Sequence, residues 1–198
     1  MFNEELIAAK VAARNAGKIL MKYYKSEDNK VKMKGIDNPV TTADNEADKY
    51  LCEFLIGEFP NDGWLSEETV DSEERLSKNR VWIVDPLDGT KEFIEGIPHF
   101  SVSIAMVYDG QPVVGVIYNP ATHEMFSCQK SKGVYLNGHK VRTSQKTNLF
   151  DASIVVSRSE VKRNSWEPYL NDFKSINPIG SVAYKLALVS SGNYDIFT

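Results

Sequence analysis

Apolar side chains recur at spacings of three and four from the start of the chain. Leu6, Ala9, Ala13, Ala16, Leu20 and Tyr23 predict a helix with one buried stripe. Lys25 to Asp37 is polar and basic, with Gly35 near its end, and predicts a mobile loop. A second helix is expected from about Thr42, burying Ala43, Ala47, Leu51, Phe54 and Leu55, and Pro60-Asn61-Asp62-Gly63 stops it. Asp71 to Lys78 is charged and predicts a solvated segment. Val81 to Val84 is a short apolar run ended by Pro86, the pattern of a buried strand with acidic residues at its carboxyl end. Ser101 to Tyr108 and Val113 to Tyr118, around Asp109-Gly110, predict a hairpin, and Asn137-Gly138 marks another tight turn. Ala152 to Ser157 reads as a strand and Glu160 to Leu170 as a helix. Val182, Leu186 and Val189 give a last helix after Pro178-Ile179-Gly180. Two helices, a run of strands and then mixed elements predict an α+β or layered α/β fold, not a repeating βαβ unit.

Composition narrows the class. Of 198 residues, 42% are hydrophobic and 25% charged, which suits a globular chain with a real core. The net charge of −4 argues against a nucleic-acid polymer as partner, since that calls for a basic stripe. Cys52 and Cys128 are too few and too far apart for a disulfide framework. There is no signal-peptide pattern, and no apolar run approaches the roughly 18 residues that span a bilayer. A cytoplasmic chain without membrane partners is expected.

The chemistry concentrates in Asp44, Glu67-Glu68 and Asp85-Pro86-Leu87-Asp88-Gly89-Thr90. An Asp-x-x-Asp-Gly string alone is usually a surface turn. Here an apolar strand leads into it and Gly-Thr plus an apolar segment follow. Asp85, the Leu87 carbonyl and Asp88 can face one point, and hard cations such as Mg²⁺ take oxygen ligands. Gly89 lets a phosphate approach the backbone. A helix starting at Thr90 would present free N–H groups to an anion. His99, His123 and His139 show no ligand spacing and read as surface or structural residues.

The six-residue motif resembles the signature of the inositol monophosphatase superfamily, the lithium-sensitive magnesium phosphatases. Pro39-Val40-Thr41-Thr42-Ala43-Asp44, Trp64-Leu65-Ser66-Glu67-Glu68 and Gly180-Ser181-Val182-Ala183-Tyr184-Lys185 resemble three further family elements, in the family's order. The resemblance implies a layered α/β sandwich of the sugar-phosphatase type. Its amino-terminal α+β domain, 1–145, would carry the metal site, and 146–198 would begin a carboxyl-terminal α/β domain. It also implies two or three Mg²⁺ ions. Glu67, Asp85 and the Leu87 carbonyl would bind the first, and Asp85 and Asp88 a second. Asp44 and Thr90 would position and activate water. The backbone of Gly89 and Thr90 would contact phosphate, and Glu68 would support the site from behind.

Lys91-Glu92-Phe93 and Ser157-Arg158-Ser159 look most like the 3′(2′),5′-bisphosphate nucleotidase branch, acting on 3′-phosphoadenosine 5′-phosphate. Arg158 would then meet the second phosphate, with Ser157, Gly180 and Ser181 also in the substrate site. The alternative is an inositol or other sugar monophosphatase, and a further one is an inactive module that binds a phosphate ligand. A small phosphorylated metabolite is the expected partner, with a homodimer as a candidate assembly. The family's later Trp-Asp element is absent. Trp64, Trp82 and Trp166 precede Leu65, Ile83 and Glu167. The expectation is therefore a carboxyl-terminally truncated fold with reduced activity.

Overall fold

The computed structural model describes residues 2–35 and 38–198. Helix α1 (Asn3–Tyr23) forms where the apolar period predicts it and buries Ala9, Ala12, Ala13, Ala16, Gly17 and Leu20. These small side chains let the helix axis come close to the sheet beneath. A Cβ on Gly17 would lie 2.6 Å from the Tyr118 ring. Strands β1 (Val31–Gly35) and β2 (Asn38–Thr41) make an antiparallel ribbon. The loop expected over Lys25 to Asp37 thus contains a strand. Val31, Lys32 and Met33 are all exposed, so no alternation marks it. Ile36 and Asp37, also within that expectation, lie outside the described residues.

Helix α2 (Thr42–Glu58) opens on a capping box. The Asp44 N–H donates to the Thr41 side chain, and the Asp44 carboxylate accepts from the Thr41 N–H. Its buried face is Ala43, Ala47, Leu51 and Leu55, joined by Asp44 and Asp48. Strand β3 (Gly63–Ser66) follows, then β4 (Arg80–Asp88), the short helix α3 (Thr90–Ile94), β5 (Ser101–Tyr108), β6 (Gln111–Asn119), β7 (Glu124–Gln129), β8 (Gly133–Leu136) and β9 (His139–Val141). These strands form one seven-stranded sheet in sequential order. Only β3 and β4 run parallel, and every other neighbour is antiparallel. The expected turns hold: Asp109, Gly110, Asn137 and Gly138 all take positive φ. Helices α1 and α2 pack on this sheet over Trp82, Val84, Val102, Ile104, Met106 and Val116.

The chain then builds a second, parallel sheet of β10 (Ser153–Val156), β11 (Ser175–Pro178) and β12 (Ile196–Phe197), in the order β11-β10-β12. Helices α4 (Arg158–Lys162) and α5 (Val182–Ser190) belong to this part. The helix expected over Glu160 to Leu170 is shorter and starts earlier. Ser157 caps it in a box with Glu160, and the chain leaves it through Asn164 in the left-handed region. Helix α5 matches its predicted span but not its predicted face. Val182 and Leu186 are exposed, while Tyr184, Lys185, Ala187 and Leu188 are buried. Its inner face packs on Phe126 of the large sheet and on Val155 and Ile179. Among the described residues, no helix is long and apolar enough to cross a membrane.

One ionic cluster joins three elements. Arg80 donates to Asp62 at 2.8 Å and to Glu5 at 2.9 Å, and the Trp82 indole donates to Asp62 at 3.1 Å. The start of α1, the turn between α2 and β3, and the start of β4 meet there. Arg80→Met leaves the buried Asp62 carboxylate without its cation, so the unfolding free energy should fall by about 2–3 kcal/mol. Urea denaturation of both proteins measures this.

Candidate active site

The site begins where β4 stops being a regular strand. In its ladder with β5, Asp85 faces Ser103 and Asp88 faces Ser101, so β4 carries one extra residue between them. The bulge spans Pro86 and Leu87, and Pro86 has no N–H to give to a ladder. The strand therefore does not end at Pro86 as expected but runs through it, and the irregularity turns Asp85, Leu87 and Asp88 together. Gly89 follows at φ 97, and a Cβ there would lie 2.7 Å from the His99 carbonyl oxygen. Only glycine suits both constraints. The helix expected from Thr90 is a single turn.

Thr90 links this turn to α2. Its hydroxyl lies 3.3 Å from Asp44 Oδ1 and 3.1 Å from the Leu87 carbonyl oxygen, and its one proton serves either acceptor. Asp44 is buried, and its Oδ2 accepts the Thr41 N–H at 2.8 Å and the Thr41 hydroxyl at 2.5 Å. Burial pushes the Asp44 carboxyl up to about 6, with Glu68 adding to the rise and the Thr41 and Thr90 hydrogen bonds opposing it. Asp85 accepts the Leu87 N–H at 3.1 Å. Burial, then the charges of Asp88, Glu67 and Asp44, push its carboxyl up to about 8.

Asp88 is tied to the second half of the molecule. Its Oδ2 accepts the Ser181 hydroxyl and the Ala183 N–H, the latter at 2.6 Å. Ser181 itself sits at φ 62, caps α5 by accepting the Tyr184 N–H, and lies 3.2 Å from the Ser101 hydroxyl. A non-glycine residue held at positive φ costs of order 1–3 kcal/mol. The Asp88 carboxylate, the Tyr184 N–H and the Ser101 hydroxyl hold it there.

A cavity of about 370 Å³ opens between the two halves. Glu67, Asp85, Leu87, Asp88, Gly89 and Thr90 line one side. Ser157, Ser159, Gly180, Ser181 and Lys185 line the other, with Lys91 and Glu92 between. Most residues singled out in the sequence thus converge. Asp44 sits behind the wall and reaches it through Thr90. Glu68 is not on the wall either. Arg158 does not line the cavity: its guanidinium pairs with Glu92 at 3.0 Å and Glu95 at 2.6 Å.

Asp48 has no place in the sequence motifs, and Glu92 and Lys185 enter there only as members of Lys91-Glu92-Phe93 and of the Gly180-to-Lys185 element, with no individual role. Asp48 accepts from Ser66 and, at 2.5 Å, from Thr69, and so fixes the segment bearing Glu67. Its signal was a second aspartate one helical turn after Asp44.

Among the described residues, no group of three or more His, Cys, Asp and Glu side chains stands ready-made around one metal position. Asp88 Oδ2 is already bonded to α5. The donor chemistry nevertheless fits a hard divalent cation. Glu67, Asp85, Asp88 and the Leu87 carbonyl are all oxygen donors on one wall, and the mutual repulsion that raises Asp85 is what a cation between them would relieve.

Residues 3–198 match the sequence profile of the inositol monophosphatase family. An inositol-1-monophosphatase of Rhizobium meliloti is 34% identical over 194 residues, covering 94% of this chain and 73% of the relative. Nus factor SuhB of Escherichia coli is 31% identical, with 94% of this chain and 72% of the relative covered. Among solved structures, the Thermotoga maritima IMPase superposes with a TM-score of 0.89 at 28% identity, over 98% of this chain and 75% of that one. SuhB from Bartonella henselae gives 0.88 at 32%, over 98% and 78%.

The raised Asp85 carboxyl has a consequence for stability. In the metal-free fold it keeps a proton that the unfolded chain gives up near its ordinary value of 3.8, so stability falls as pH rises from about 4 to about 8. Asp85→Asn removes that penalty. In EDTA the variant should melt above the parent at pH 8, and the gap should close toward pH 4. Thermal melts at both pH values check it.

Proposed function

Given that the chain belongs to the inositol monophosphatase family, a family of phosphatases, we propose that it hydrolyses a small hydroxylated phosphomonoester, an inositol or sugar phosphate, with Mg²⁺ as cofactor. The observation that carries the reading is the Asp44–Thr90–Leu87 chain of contacts beside the Asp85 and Asp88 carboxylates on one cavity wall.

Glu67, Asp85, Asp88 and the Leu87 carbonyl would hold the cation, which when bound supplies charge neutralisation at the phosphate and a more acidic water. The chain's own residues do the rest. Gly89, with no Cβ, lets the phosphate lie against the backbone, where the N–H groups of Gly89 and Thr90 can donate to its oxygens. With its proton on Asp44, the Thr90 hydroxyl keeps lone pairs free to orient a water for in-line attack. Asp44, poised at about 6, is a suitable final proton acceptor near neutral pH. The water oxygen bonds to phosphorus as the phosphorus–oxygen ester bond breaks, the water's proton passes by way of Thr90 to Asp44, and the departing alkoxide takes a proton from solvent water. No covalent intermediate on the protein is needed.

Two observations favour inositol or sugar phosphate over 3′-phosphoadenosine 5′-phosphate. Arg158, the residue proposed for a second phosphate, is already engaged by Glu92 and Glu95. The relatives described above carry inositol monophosphatase or SuhB names. The Lys91-Glu92-Phe93 continuation remains the argument for the nucleotide.

Phosphate release in Mg²⁺ from inositol 1-phosphate and from 3′-phosphoadenosine 5′-phosphate, each with an EDTA control, tests the reading. The expected outcome is metal-dependent release with preference for the inositol ester. Preference for the nucleotide transfers the chain to the nucleotidase branch, and no release from either sinks the enzymatic reading. Asp85→Asn should lower kcat/KM by at least about 10²–10³-fold, and Thr90→Ala by about 10²-fold, the size of losing one preorganised group. Steady-state kinetics on the preferred ester would report both.

A further inference from the structure

Lys185 has no part in the chemistry just described, yet it lines the same cavity. It stands on α5, one helical turn beyond Ser181, and is only 4% exposed. Its ammonium donates to the Thr198 carbonyl oxygen at 2.8 Å and lies 4.9 Å from the centre of the Phe197 ring. An ammonium carries three N–H donors, and the carbonyl takes one. A buried charge with unused donors is costly unless something in the cavity accepts from it.

The surrounding carboxylates do not fill that role. Glu160, Asp88 and Glu92 are close enough to act on Lys185 electrostatically, while burial holds its ammonium below the ordinary lysine value. Each is committed elsewhere. Asp88 accepts from Ser181 and Ala183, and Glu92 from Arg158. Glu160 accepts from the Ser157 N–H at 3.1 Å and the Trp166 indole at 3.3 Å. The wall around Lys185 is completed by the hydroxyl residues Ser157 and Ser159, opposite the wall that carries Asp85 and Thr90. An ester whose phosphate lies against Gly89 and Thr90 turns its alcohol half toward this second wall.

We propose that Lys185 is a specificity-determining residue, donating hydrogen bonds to a hydroxyl oxygen on the alcohol half of the substrate. The inference rests on the phosphomonoesterase reading and adds the residue that discriminates within it: a bare aryl or alkyl group forfeits the Lys185 contact.

The test compares inositol 1-phosphate with p-nitrophenyl phosphate, which has no hydroxyl on its alcohol half. Lys185→Met should raise KM for the inositol ester about ten- to a hundredfold, the range for losing a hydrogen bond to a charged group. KM for the aryl ester and kcat for both should stay within about threefold. A merely structural lysine would change both esters alike, so an unchanged ratio of the two KM values overturns the proposal. If Lys185→Met does not fold, as judged by thermal melting, Lys185→Arg keeps the charge but relocates the donors, and the same KM ratio is read. If the parent chain releases no phosphate from either ester, the phosphomonoesterase reading falls, and this inference with it. Parent activity with an unaltered ratio removes this inference alone.

Discussion

The bond from Ser181 and Ala183 to the Asp88 carboxylate is what makes one cavity out of two sheets. Asp88 ends the large sheet's β4 strand, just past its bulge. Ser181 starts the helix that leads on from the small parallel sheet. Each half supplies one side of the cavity: the first a wall of carboxylates, the second a wall of hydroxyls, a glycine and an ammonium. Their separation is set by a carboxylate accepting from a hydroxyl and a backbone N–H, both charge-assisted and hence short. The same contact places a non-glycine residue in the left-handed region, so local backbone energy is spent where the walls meet, a common placement for strain in proteins.

The carboxylate wall is built against stability. Asp44 and Asp85 are acids whose charged forms burial disfavours, and Asp85 has like-charged neighbours besides. A fold selected for cohesion alone would place apolar groups behind β4. What holds the wall in place is an apparatus of neutral donors: Thr41 on Asp44, the Leu87 N–H on Asp85, Ser66 and Thr69 on Asp48. The carboxylates are thereby fixed in position before any ligand arrives, which is the condition for preorganised electrostatic catalysis.

Much of this was legible in the residues. Both long helices, the hairpins and the strand into Asp85 follow from period and turn chemistry, and the motif around Asp85 to Thr90 supplied the chemistry. The misses have physical causes. Strand β1 shows no alternation because neither face is buried, so its existence depends on pairing with β2. Helix α5 hid its orientation because it is apolar nearly all round. Leu186 and Val182 fit a stripe as well as Tyr184 and Leu188 do, and only the position of Phe126 selects between them. Lys185 closes the Gly180-to-Lys185 element on that same helix, and the turn of the helix toward Phe126 puts it inside. Arg158 is expected at a second phosphate, and its actual partners, Glu92 and Glu95, lie more than sixty positions away in sequence, where no local pattern reveals them.

The close packing of Gly17 against Tyr118 has a kinetic side. Helix α1 is made before the floor it settles on, chiefly β5 and β6, which lie in the third quarter of the sequence. During synthesis its alanine and glycine face has only α2 for company, and alanine-sized contacts bring little adhesion until a flat surface arrives. The meander from β4 to β7 consists of sequence neighbours and closes short loops, so it can assemble early. Docking α1 onto it closes a long loop and comes late. The order of assembly therefore runs against the order of translation, and the amino-terminal helix is the piece the nascent chain must keep in waiting.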